Sequence, residues 1–139
     1  MAARYWERIP LPKPQPAIAP GRAITGKLAY LETKGELTRT YTNDTAFGPV
    51  EIVAKGSYTV DWGDGETSGP HGFEGQAWPE GKITHEYINV GKYNVAVTEK
   101  WTATWKLGSE NGTLRTLQTT GRIDDFPVQQ IQAVVIVGR

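Results

Sequence analysis

Tyr93-Asn94-Val95-Ala96-Val97-Thr98-Glu99-Lys100-Trp101-Thr102-Ala103-Thr104-Trp105-Lys106-Leu107 decides the fold class. The odd positions read Tyr, Val, Val, Glu, Trp, Ala, Trp, Leu, and the even positions read Asn, Ala, Thr, Lys, Thr, Thr, Lys. A period of two marks a β-strand with one buried and one solvated face. Only Glu99 interrupts the apolar side. Beyond this strand, Ser109-Glu110-Asn111-Gly112 predicts an Asn-Gly hairpin turn, after which Thr113 to Ile123 returns antiparallel. Val128 to Val137 is expected as the closing strand. Asp124-Asp125 lies between the two. Adjacent strand residues face opposite ways, so this pair predicts a turn or bulge rather than a pair of catalytic carboxylates.

Toward the N-terminus the same signals recur. Thr84-His85-Glu86-Tyr87 predicts a strand, followed by a turn near Asn89 to Gly91. Tyr58-Thr59-Val60-Asp61-Trp62 alternates, with Tyr58, Val60 and Trp62 on one face, and Gly63-Asp64-Gly65 stops it. Val50 to Ala54 reads as a further strand ended by a Lys55-Gly56 turn, and the Thr-rich Glu36 to Thr42 as an edge strand. Ala23 to Leu31 is the first strand, with a break at Gly26. A long loop rich in Gly and Pro is expected from Ser68 to Gly81, holding His71, Phe73 and Trp78. The fold class is therefore all-β: an antiparallel sandwich of about seven or eight strands, close in size to an immunoglobulin-like domain, with no helix expected.

Ile9 to Gly21 carries proline at nearly every second position, which fixes φ and removes backbone donors. The expected organisation is an extended Pro-rich arm over residues 1–21, unable to join the core, and one sandwich domain over residues 22–139. The arm reads as a polyproline II spacer, or as a strap along the domain. Tyr5 and Trp6 ahead of it are candidates for docking on the sandwich or on a partner.

Fifteen basic and fifteen acidic residues cancel and are scattered, which excludes the electrostatic footprint of a nucleic-acid binder. No apolar run is long enough for a membrane helix, so direct membrane insertion is not expected. The chain has no Cys, and so no disulfide or thiolate site. Neither a Gly-x-Ser-x-Gly elbow nor a phosphate-binding glycine loop is present, and no catalysis or cofactor is expected.

The order Asp61-Trp62-Gly63-Asp64-Gly65, then His85-Glu86-Tyr87, then Gly91-Lys92-Tyr93-Asn94-Val95 resembles the signature of the PKD (polycystic kidney disease) domain. That family carries an aromatic-Gly-Asp-Gly turn, a His-x-Tyr strand, a Gly turn and a Tyr-x-Val strand. The resemblance spans roughly residues 50 to 107; Val60 stands where the family usually has Trp, and the strands beyond Val97 run longer. It implies a seven-strand immunoglobulin-like sandwich, found mostly outside cells, without catalysis, serving as a spacer or binding proteins or surfaces. The Pro-rich stretch, the Arg22-Ala23-Ile24-Thr25-Gly26 start and the Gln132-Ala133-Val134 end are similar to PKD-like segments of bacterial, particularly actinobacterial, envelope proteins. An extracellular or envelope fragment without its export signal is the expected location.

Asp61, Asp64 and Glu66 offer oxygen ligands for Ca²⁺, but the two Asp side chains are also the residues expected to cap turn amides, which is the reading preferred here. His85 is expected beside the turn as a structural residue, and His71 as a solvated one. Trp101 and Trp105 share one strand face about 13 Å apart, and their companions Val95, Val97, Ala103 and Leu107 place them in the core. Exposed, they and Trp78 would form a platform for a polysaccharide or a protein. The expected role is a spacer or protein-interaction module. Its alternatives are a subunit of a repeating surface assembly docking on neighbouring copies through the arm, and a carbohydrate-binding module.

Overall fold

The computed structural model describes residues 2–131. In chain order the elements are α1 (Ala2–Arg8), β1 (Ala17–Ile18), β2 (Ala23–Ile24), β3 (Leu28–Glu32), β4 (Thr38–Thr45), β5 (Gly48–Asp61), β6 (Thr67–His71), β7 (Thr84–Glu86), β8 (Gly91–Leu107) and β9 (Glu110–Gln129). The fold is all-β, with two sheets in a sandwich-like arrangement. One sheet has the order β1-β3-β7; the other has the order β2-β9-β8-β5-β4, with β6 also paired to β5. All pairs are antiparallel except β2 with β9, which is parallel and departs from the fully antiparallel expectation.

The 17-residue β8 is the spine. It pairs along nearly its whole length with β5 on one side and β9 on the other. At about 3.3 Å per residue this strand is about 56 Å long, far longer than the three-stranded sheet opposite. Its inward side chains therefore enter two separate cores. In the first, Val95 and Val97 meet Tyr58, Val60, Trp62, Leu31, Ile83, Tyr87, Phe126 and Val128 between the sheets. In the second, Trp101 and Ala103 meet Val50, Ile52, Ala54 and Trp6.

Trp6 overturns two expectations, that no helix forms and that the arm stays outside the core. Ala2-Ala3-Arg4-Tyr5-Trp6-Glu7-Arg8 forms a seven-residue helix. Ala, Arg and Glu favour helix, and Pro10 disfavours helical geometry at Ile9 and ends it. So short a helix is not stable alone. It is held by burial of Trp6, which is 0% exposed, and by the indole Nε1 donating to the Arg115 carbonyl at 2.6 Å. The Pro-rich segment then lies along the sheet as a strap: the Thr119 hydroxyl donates to the Pro12 carbonyl at 3.0 Å, and the Gln15 amide to the Thr33 carbonyl at 3.1 Å.

Other boundaries differ from expectation for local reasons. Lys55-Gly56 is no turn, since β5 runs unbroken from Gly48 to Asp61. Gly56 lies across from Trp101, and a Cβ there would collide with the Glu99 carboxylate. Asn111 and Gly112 pair with Lys106 and Trp105, so the hairpin turn falls three residues earlier, at Gly108-Ser109. The first five residues of the expected loop belong largely to β6, which pairs with β5. Asp124-Asp125 is a bulge as expected: the register slips between Tyr93 and Val95, and Asp125 takes φ +53° with its amide donating to Asn94 Oδ1. Among the described residues β4 forms an edge, bonded only to β5. Of the expected last strand, Val128 to Val137, the first two residues are the end of β9, Gln130 and Ile131 are not strand, and the rest lies outside the described residues.

Gly56→Ala tests the close approach. Forcing a methyl against a buried carboxylate costs about 1–3 kcal/mol of stability, measurable by urea denaturation. A neutral substitution would contradict the packing described.

Candidate functional site

The turn after β5 is built from its own side chains. Asp61 Oδ1 accepts from the Gly63 amide at 2.9 Å, and Asp64 Oδ1 from the Glu66 amide at 3.1 Å. Asx capping of this kind fixes a tight turn without help from solvent. The Trp62 amide donates to the Glu66 carbonyl at 3.0 Å, and its indole Nε1 to Ser68 Oγ at 3.1 Å. Gly63 takes φ +87°, and a Cβ there would lie 2.5 Å from the Asn94 carbonyl oxygen. Geometry and space both demand glycine at this position.

His85 and Tyr87 come to this turn from β7 and the residue after it. The His85 ring stacks on Trp62 at 4.8 Å and 15°, and meets Tyr87 edge-on at 4.7 Å. Its Nε2 lies 2.7 Å from Asp64 Oδ2 and 3.6 Å from Glu66 Oε2. The Tyr87 hydroxyl donates to the Trp62 carbonyl at 2.8 Å. Burial, followed by the nearby Asp64 charge, pushes the Tyr87 hydroxyl well above the ordinary tyrosine range, so it stays a donor. Six of the seven turn residues singled out in the sequence therefore meet in one network, and Gly65 completes the turn with φ +92°.

Among the described residues, Asp64, Glu66 and His85 each place a possible ligand atom within 4.8 Å of the others. Asp61 is not a member of that group. The converging donors are thus two carboxylates and an imidazole rather than the three carboxylates named from the sequence. An imidazole donor suits a transition metal better than Ca²⁺. The His85–Asp64 pair and the Asp64 turn bond already engage both Asp64 oxygens.

The tryptophans divide. Trp101 is fully buried and Trp105 packs partly buried against the same cluster, so the platform they would form in solvent does not exist. Trp78 is 72% exposed and lines an open groove of about 370 Å³ with Pro20, Leu28 and Tyr30. Of the three tryptophans proposed for a carbohydrate platform, Trp78 is therefore the one that remains exposed. Tyr5 and Trp6 dock on their own sheet, with the Glu7 carboxylate 3.2 Å from Arg115 Nε. His71, expected in solvent, is half-buried in β6; its Nε2 lies 3.2 Å from Ser68 Oγ, and burial lowers its pKa.

Glu99 is the polar residue whose place the sequence did not explain. It is 0% exposed, and neither carboxylate oxygen has a hydrogen-bond partner among the described residues. The signal was its position on the apolar face of β8. Thr33 is also buried, with Oγ1 accepting from the Gly75 amide at 3.1 Å, and nothing in its sequence context marked it.

The chain matches no family model, no curated protein and no solved structure.

Gly63→Ala and Gly65→Ala separate strain from steric conflict. Both residues have positive φ, but only Gly63 has backbone within reach of a Cβ. Gly65→Ala is expected to cost about 1–2 kcal/mol from conformation alone, and Gly63→Ala distinctly more, measured by thermal or urea unfolding. Equal losses would contradict the assigned contact.

Proposed function

We propose that this chain is a non-catalytic, PKD-like module of an extracellular or envelope protein, acting as a rigid spacer or protein-interaction unit. The observation that carries the reading is how the turn residues are used. Asp61, Trp62, Asp64, His85 and Tyr87 spend their polar groups on one another and on local backbone. A catalytic or ligand-binding centre needs such groups directed at a space where a reacting atom can sit. The same residues carry the resemblance to the PKD signature, where they are structural.

Stiffness supports the spacer role. β5, β8 and β9 form a continuous ladder through both cores, backed by a sheet at one end and a helix at the other. Among the described residues the outer edge of β4 has no strand partner, and such an edge can receive a partner strand. With its arm strapped to the sheet, the module sets distance by its own length and not by a free polyproline rod.

The assembly reading places α1 on a neighbouring copy. Docking of Trp6 in a groove of the same chain favours the spacer reading. The chain lacks cysteine, so a pair placed at Glu7 and Arg115 is unique. In the double variant Glu7→Cys/Arg115→Cys, a short bis-maleimide is expected to give an intramolecular cross-link in a monomer. An equimolar mixture of the two single variants is expected to stay unlinked. A cross-linked dimer from that mixture would show the arm passing between copies and move the assembly reading to first place.

A further inference from the structure

Glu99 stands at the seam of the two cores, between Val97 of the first and Trp101 of the second. Tyr58 of β5 is its cross-strand partner. The Tyr58 hydroxyl is buried without a hydrogen-bond partner among the described residues, as are both Glu99 oxygens. Oε2 packs against the Cα of Gly56, while Oε1 and the Tyr58 hydroxyl both lie over Gly35. Sequence has thus cleared two side chains from around one carboxyl group.

Two loops close over this spot. The segment between β3 and β4 is tied down by the Gly56 amide donating to the Leu37 carbonyl at 2.8 Å. The segment after β6 is tied to the first by the Gly75 amide donating to Thr33 Oγ1 at 3.1 Å, and by the Thr33 amide donating to the Gly75 carbonyl at 3.3 Å. The titratable groups that act on Glu99 from these surroundings are Tyr58 from β5, Glu36 from the first loop and Glu74 from the second. None is basic. A carboxylate here would lose its hydration, gain at most one hydroxyl donor and face the charges of Glu74 and of Glu36, the latter partly offset by Arg39, whose Nη1 donates to Glu36 Oε2 at 2.7 Å.

We propose that Glu99 is a proton-operated latch: protonated, it lets the two loops close on the seam and join the cores into one stiff body, and ionised, it releases them. The physical order of effects is clear. Burial acts first on the carboxyl and the charges of Glu36 and Glu74 second, and its pKa is raised from 4.5 to about 8. In the open or unfolded chain the group titrates as an ordinary glutamate. The closed state therefore binds a proton that the open state releases. Closure is strongest below pH 4.5, weakens as pH rises from 4.5 to about 8, and levels off above that. Across this window the closing equilibrium changes by roughly three decades. The inference is independent of the spacer reading, since a latch at this seam would operate whatever the module touches.

Two measurements on the full chain test it. Side-chain carboxyl ¹³C NMR, with the Glu99 signal assigned by its loss in Glu99→Gln, is expected to give a midpoint near 8. A midpoint below about 5, in the ordinary glutamate range, overturns the proposal. If Glu99→Gln does not fold, specific labelling of the native chain assigns the signal instead. Hydrogen exchange at the Gly56 and Gly75 amides, corrected for intrinsic rate, is then compared at pH 6 and pH 8.5. Protection is expected to fall at least tenfold in the native chain and to stay level in Glu99→Gln. Protection independent of pH in the native chain, or an equal fall in Glu99→Gln, overturns it. Glu36→Gln/Glu74→Gln is expected to lower the NMR midpoint and to shift the fall in Gly56 and Gly75 protection to lower pH with it; protection that does not follow the midpoint overturns the proposal.

Discussion

One strand face has to be buried over a length that no single cover can span. β8 turns Val95, Val97, Trp101 and Ala103 inward, and all four are removed from solvent. The three-stranded sheet β1-β3-β7 covers only the first pair. Covering the second pair falls to α1, and so to Trp6, the one residue of that helix buried completely. The apolar surface at stake explains why a segment of unpromising composition folds back. Burying an indole contributes several kcal/mol, enough to order a helix too short to persist alone and to lay down the proline strap behind it.

The seam between the covers is where the chain accommodates what does not fit. Glu99 occupies a position that the alternation reserves for an apolar side chain, and the neighbouring positions are arranged around it. Gly56 opposite and Gly35 above leave room for its oxygens. Burial and the Glu99 charge push the Tyr58 hydroxyl up to about 12, so it remains protonated whenever the fold is intact. The recognised turn at the far end of β5 is the contrary case. There Asp61 and Asp64 cap amides of the turn, Asp64 also meets His85, and Gly63 is dictated by the Asn94 backbone.

Much of this was legible in the sequence. The period-two pattern located β8 and the second half of β5, and with them the all-β class, because each is set by a local alternation of side chains; the β4 edge was legible from its Thr-rich, polar composition. The Asp61–Gly65 turn with His85 and Tyr87 was legible as an ordered set of turn formers and aromatics. The bulge at Asp124-Asp125 followed from the direction of adjacent strand residues. What was not legible depends on contacts distant along the chain. Ala2–Arg8 has no helical period to read, and its structure comes from the meeting of Trp6 with Trp101. Lys55-Gly56 has the composition of a turn, yet the glycine is there because a carboxylate from β8 approaches it. Asn111-Gly112 likewise resembles a turn, but the pairing of β8 with β9 places the reversal at Gly108-Ser109.

The two-cover account is tested most directly by amide hydrogen exchange on Trp6→Ala, mapped residue by residue against the native chain. Protection is expected to collapse over the distal part of the sheet, at Val50 to Ala54 of β5 and Trp101 to Leu107 of β8. It should be retained at Tyr58 to Asp61 and Val95 to Val97. Uniform loss along both strands would show a single cooperative core, and unchanged protection would show that the helix covers nothing the sheet needs.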